Sequence, residues 1–186
     1  MRKYIRIVGT AVILVMAAIT LLGPDPAMAA SAAAIDRDAD ATLRTLYETT
    51  PAARALAEKA KGILVFPNLV KGGFVVGAQY GDGALLKGGR TVGYYNILAA
   101  SYGLQAGLQS FAYAMLFMTD SALNYLENSA GFEVGVGPSI VVVDAGMART
   151  LTTTTAQDDV YAFIFGQQGL MAGAGLQGSK ITKISP

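Results

Sequence analysis

The sequence predicts an α+β fold: N-terminal helices followed by a largely antiparallel, strongly twisted or barrel-like β-sheet with one further helix. Two textures carry this. Residues 31–61 are the charge-dense stretch, with apolar residues at helical spacing, whereas from Ile63 onward short apolar or alternating runs are broken by many of the 22 glycines. Helix gathered early and strands gathered late is the order of an α+β domain rather than of alternating βα units.

The elements follow in order. Ile35, Ala39, Leu43, Leu46 and Tyr47 keep one face apolar while Asp36, Arg37, Asp38, Asp40 and Arg44 occupy the others, the pattern of an amphipathic helix. Thr50-Pro51 restarts the chain as N-cap and first-turn proline. The second helix runs over about 51–61, with Gly62 as its C′ residue. Ile63–Phe66 is a short buried strand closed by Pro67-Asn68. Strands 73–80 and 84–87 flank Gly81-Asp82-Gly83, a hairpin-turn signal. Strands 90–97 and 102–109 follow, the latter alternating apolar with small or polar residues. Residues 111–118, apolar on both faces, form a central strand, and Thr119 caps a helix over about 120–129 that Gly131 terminates. Strands over 132–137, 139–143, 160–165 and 170–180 complete the sheet, with residues 152–155 open between polar edge strand and loop. The strings Ala106-Gly-Leu-Gln-Ser110 and Ala174-Gly-Leu-Gln-Gly-Ser179 suggest two strands with similar small-residue packing, adjacent in the sheet.

The first 29 residues read as an export signal. Arg2, Lys3 and Arg6 precede the apolar run Ile7–Leu22, and Ala27-Met-Ala29 supplies small residues for cleavage. That run of 16 residues is short for a membrane span, which needs about 20. The expected organisation is a signal over 1–29 and one domain over 30–186, located in the periplasm or secreted. Three basic residues and one acidic residue leave with the signal, so a formal charge of +1 becomes −1. Such a balance does not suit a nucleic-acid partner.

The chain has no His and no Cys. This excludes the Ser-His-Asp triad, a cysteine nucleophile, and imidazole or thiolate metal sites, and the expectation is no enzyme, no metal and no cofactor. Gly173-Ala-Gly-Leu-Gln-Gly178 spells GxGxxG, but only eight residues follow it, too few for the helix and strand that dinucleotide binding requires. The carboxylates Asp82, Asp120, Glu133, Asp144, Asp158 and Asp159 have no EF-hand spacing. Tyr161, Phe163 and Phe165 share one face as a core stripe, or alternatively line an acyl-chain cavity opposite the glycine-rich strands.

Basic residues are the more suggestive group. Lys59, Lys61 and Lys71 bracket the helix-to-strand junction, Lys87 and Arg90 flank Gly88-Gly89, and Arg54 adds to one positive patch. A patch beside an amphipathic helix attracts anionic lipid. The plainer reading is that these are solubilising charges at element ends.

Several strings resemble the SYLF domain family. They are Ala60-Lys-Gly-Ile-Leu-Val-Phe-Pro67, Lys71-Gly-Gly-Phe-Val-Val-Gly-Ala-Gln-Tyr-Gly81, Ser101-Tyr-Gly-Leu-Gln-Ala-Gly-Leu-Gln-Ser110, Phe132-Glu-Val-Gly-Val-Gly-Pro138, Asp159-Val-Tyr-Ala-Phe163 and Gly175-Leu-Gln-Gly-Ser-Lys-Ile181. The resemblance implies lipid binding, with actin regulation in eukaryotic members, and no catalytic residues. The expectation is an exported, non-enzymatic domain that meets anionic phospholipid or a membrane surface. Lys59, Lys61 and Lys71, with Arg54, Lys87 and Arg90, would contact headgroups, and the amphipathic N-terminal helix would add apolar contact. The alternative is a structural or partner-binding envelope protein acting through an open sheet edge or an apolar patch.

Overall fold

The structure is a computed structural model that describes residues 31–73, 76–102, 107–129, 131–133, 137–143, 146–169 and 179–186. Its elements are α1 (Ala32–Thr49), α2 (Pro51–Ala57), β1 (Gly62–Gly73), β2 (Val76–Lys87), β3 (Arg90–Tyr102), β4 (Gly107–Phe117), α3 (Asp120–Asn128), β5 (Phe132–Glu133), β6 (Ile140–Val143), α4 (Met147–Thr150), β7 (Val160–Gly169) and β8 (Ser179–Ile184). The strands form one sheet in the order β5-β8-β3-β2-β1-β4-β7-β6, antiparallel throughout except for the β6–β7 pair. The α+β reading holds. Ala32–Pro186 is one compact unit that carries both of its hydrophobic cores within itself.

The sheet is a strongly curled half-barrel, and an aromatic contact shows which face is the inner one. β5 and β4 stand five strand spacings apart, which in a flat sheet is about 24 Å. Yet the rings of Phe132 on β5 and Phe117 on β4 lie 6.0 Å apart, edge to face. The face bearing them is therefore concave. It holds Leu64, Phe66, Leu69, Tyr95, Ile97, Tyr113 and Met115, with Ala122, Leu123 and Leu126 of α3 closing one end. On the convex face, Val65, Ala84, Leu86, Ala114 and Leu116 pack against Ile35, Ala39, Leu43 and Leu46 of α1 and Ala53 and Leu56 of α2. Asp36 fastens α1 to β3, accepting from Thr91 Oγ1 at 2.8 Å and from the Tyr94 hydroxyl at 3.0 Å.

The first N-terminal helix, the central strand β4 and the Thr119 cap stand as expected, while the second helix starts at Pro51 as expected but ends at Ala57, short of 61. Thr119 Oγ1 accepts from the Ala122 N–H at 3.3 Å. Thr50 occupies the N-cap position of α2 without a side-chain bond.

Several expectations are corrected. Pro67-Asn68 does not close a strand. Beyond Phe66, β1 carries one extra residue against both neighbours and then continues to Gly73, a β-bulge. Gly81-Asp82-Gly83 is not a turn but the middle of β2, paired to Ile97, Asn96 and Tyr95. The true hairpin turn is Gly88-Gly89, with φ of 57° and 76°, both in the left-handed region that a type I′ turn requires. Glycine at 81 and 83 answers a different need. A Cβ on Gly81 would lie 2.6 Å from the Asn68 carbonyl oxygen, and one on Gly83 would strike the Val65 carbonyl oxygen. Gly62 is likewise no helix cap. It opens β1, where a Cβ would meet Leu123 Cδ1 at 2.9 Å. Of the strand expected over 102–109, Tyr102 belongs to β3 and Gly107–Gln109 to β4, and residues 103–106 lie outside the described residues.

The short helix α4 went unforeseen, and residues 152–155 form a turn in which Thr152 and Thr155 bond each other. Of the two similar strings, Ala106 and Ala174–Gly178 lie outside the described residues; β4, which holds 107–110, pairs with β1 and β7, and β8, which starts at Ser179, pairs with β3 and β5. Most of the strand expected over 170–180, and the GxGxxG string, lie outside the described residues. No helix among the described residues is long and apolar enough to cross a membrane.

Candidate functional site

The six basic residues singled out from the sequence do not form one patch. Arg54 and Lys59 are exposed at α2 and the turn after it, and Arg90 is exposed after the Gly88-Gly89 turn. Lys61 pairs with Asp120 at the start of α3, Nζ to Oδ2 3.8 Å. Lys87 pairs with Glu127 near the end of the same helix, Nζ to Oε1 2.7 Å. Two of the cations are thus already opposed by carboxylates.

Lys71 is elsewhere altogether. It sits eight residues along β1 from Ile63, roughly 25 Å at strand rise, and its side chain is only 5% exposed. The bulge explains this. Ile63 and Val65 face the convex side, so unbroken alternation would send Lys71 outward with them. The extra residue near Pro67-Asn68 reverses the parity and turns Leu69 and Lys71 to the concave side. Lys71 is therefore withdrawn from the surface group.

Between α1, α2 and the β2–β3 hairpin lies a cavity of about 580 Å³, within the range of small-ligand sites. Leu43, Tyr47, Ile63 and Leu86 line its apolar part, and Arg44, Arg54, Asp40 and Glu58 its polar part. Arg44 was read only as part of the polar face of α1. Its place one helical turn from both Asp40 and Tyr47 was the available signal. Among the described residues, Arg44, Arg54, Lys59 and Arg90 take part in no ion pair.

The apolar face of α1 is not available to a membrane in this state, because Ile35, Ala39, Leu43 and Leu46 are buried against the sheet. Apolar surface is instead exposed on the convex side beyond the helices. Leu98, Tyr80 and Val70 are direct cross-strand neighbours on β3, β2 and β1. With Leu108 on β4 they are 41–66% exposed.

The carboxylates show structural roles. Asp82 accepts from the Tyr80 hydroxyl at 2.8 Å. Asp159 ties the cap of α3 to the start of β6, accepting from the Ser139 N–H at 3.1 Å and from Thr119 Oγ1 at 2.9 Å. These bonds, the Ser139 N–H first, hold its carboxyl below the usual value. Asp158 accepts from the Tyr161 hydroxyl at 3.3 Å, Glu133 lies in β5, and Asp144 is outside the described residues. Among the described residues no three carboxylates gather as metal ligands.

A curled antiparallel sheet with helices on both faces thus carries an apolar row on its outer side and, among the described residues, cations without ion pairs beside a cleft. Residues 98–185 match the Ysc84 family, described as Las17-binding protein actin regulator. This is the family that the quoted strings resemble, and the matched span runs from β3 to β8. All six basic residues chosen from the sequence lie before it. No curated protein matches the chain.

Proposed function

We propose that the protein is an exported, non-enzymatic domain that associates with anionic phospholipid surfaces. The observation that carries this is the uncovered row of Val70, Tyr80, Leu98 and Leu108 on the convex sheet face, since contiguous exposed apolar surface marks an interaction site. Arg44, Arg54, Lys59 and Arg90 support the choice of an anionic surface. Asp40 and Glu58 beside the arginines make the attraction modest, on the order of 1 kcal/mol per basic residue near the membrane. The matched family's character as a Las17-binding actin regulator supports binding as the activity, and a protein partner on the same row is the second reading.

Co-sedimentation of residues 30–186 with anionic and neutral vesicles, at low and moderate salt, tests the proposal. Binding is expected to favour anionic vesicles and to weaken with salt. Arg54→Gln and Lys59→Gln should each lower affinity about fivefold, and Leu98→Ser should weaken it further. Equal sedimentation with both vesicle types at low salt, or with neither, overturns the proposal. The latter result joined to a stable protein complex that Leu98→Ser abolishes selects the second reading.

A further inference from the structure

The concave face is not apolar along its whole length. One step beyond the layer of Ile181, Ile97, Leu69 and Phe111 runs a polar row. Ser179 of β8 pairs with Ala99 of β3, Ala99 with Gln79 of β2, Gln79 with Lys71 of β1, and Lys71 with Gln109 of β4. Direct pairing puts these side chains on the same face, about 4.8 Å apart from strand to strand. All are enclosed: Ser179 is 1% exposed, Gln79 2%, Gln109 4% and Lys71 5%.

Burying such groups is costly. Neither amide atom of Gln79 has a hydrogen-bond partner, and Gln109 Oε1 has none. Each unmet buried group costs about 1–3 kcal/mol, and exchanging the oxygen and nitrogen of Gln79 would not help, because both are unmet. A core that only had to pack would place leucine or valine in this row, as the next layer does. The row instead presents a cation and an amide donor together with two amide acceptors across three neighbouring strands. Donors of that kind fit phosphate oxygens, and the acceptors fit hydroxyl groups on or beside the phosphate.

We propose that Gln79, Lys71 and Gln109, with Ser179 at the end of the row, bind a phosphate-bearing headgroup on the concave side of the sheet. The inference shares the ligand class of the lipid reading and rests on it for that alone. It uses none of the surface cations.

Amide spectra of ¹⁵N-labelled residues 30–186 test it directly. The Gln79 and Gln109 side-chain signals are identified by their loss in Gln79→Leu and Gln109→Leu. The probes are inorganic phosphate, water-soluble short-chain phosphatidylglycerol, and sodium chloride at matched ionic strength. Saturable movement of both glutamine signals with phosphate or phosphatidylglycerol, and not with chloride, is the expected result. Tighter binding of phosphatidylglycerol assigns the site to a lipid headgroup, and equal or tighter binding of phosphate assigns it to the free anion. Lys71→Met should weaken binding by about tenfold or more, the loss of a charge-assisted hydrogen bond.

Gln79→Leu should unfold at higher urea while binding less well. Should that variant not fold, the wild-type titration still decides. Glutamine signals that stay still with both probes, or a Lys71→Met protein that binds as wild type does, overturn the proposal. Still signals with intact sedimentation on anionic vesicles overturn this site and leave the surface reading standing. Moving signals without sedimentation do the reverse.

Discussion

Replacing Gly83 by alanine puts a methyl group against the backbone of the neighbouring strand. The added Cβ would strike the Val65 carbonyl oxygen and lie 2.6 Å from Phe66 Cδ1. Neither obstacle is the free end of a flexible side chain. Val65 is paired on both sides, to Ala84 and Ala114, and Phe66 is stacked on Tyr113 with ring centroids 6.3 Å apart. Relief needs a shift of paired backbone, and overpacking of this kind costs about 1–3 kcal/mol. The upper end applies here because the obstruction is main chain. Alanine recovers about 0.4–1 kcal/mol by restricting the unfolded chain, leaving about 2 kcal/mol of net destabilisation.

Gly88→Ala is the control. Its Cβ meets nothing within 4 Å, and its cost comes from φ of +57° alone, on the order of 1 kcal/mol. In urea unfolding with a slope of about 2 kcal/mol/M, Gly83→Ala should lower the midpoint by about 1 M and Gly88→Ala by about half that. Gly81→Ala, facing the Asn68 carbonyl oxygen at 2.6 Å, should resemble Gly83→Ala. A Gly83→Ala midpoint within about 0.3 M of wild type, or a Gly88→Ala protein less stable than Gly83→Ala, would refute close strand approach as the reason for glycine there.

Two further outcomes are expected. Asp159 is bonded in the charged form, so its folded pKa lies below its unfolded one. Its contribution is complete above the unfolded value and is lost as pH falls through the folded value. Asp159→Asn should cost about 1 kcal/mol at neutral pH, and the gap to wild type should close as pH falls through the folded value. A gap constant with pH in urea unfolding would contradict that assignment. The Tyr113 hydroxyl is buried without a partner, and burial pushes its pKa far upward. Tyr113→Phe should therefore be neutral or stabilising by up to about 2 kcal/mol. A thermal midpoint lowered by several degrees would mean that the hydroxyl has a partner after all.

Legibility in the sequence followed the range of the interactions. The apolar stripe of α1, the Thr119 cap and the all-apolar run of β4 were readable because each depends on residues within a few positions. The candidate site was less so. Arg54, Lys59 and Arg90 are exposed as expected, but the carboxylates that oppose Lys61 and Lys87 come from α3, 59 and 40 residues away along the chain. The polar concave row was missed because Gln79, Lys71, Gln109 and Ser179 are neighbours only through strand pairing.

By itself the sequence determined the α+β class, the resemblance that the Ysc84 match over residues 98–185 supports, and the lack of His and Cys chemistry. Tertiary structure alone decided what the glycines and Lys71 are for. A glycine that turns the chain and a glycine that admits a neighbouring strand look identical in sequence, because the deciding atom belongs to another strand. One extra residue in β1 reverses which face every later side chain meets. That is why a lysine expected at a membrane surface lies inside the half-barrel.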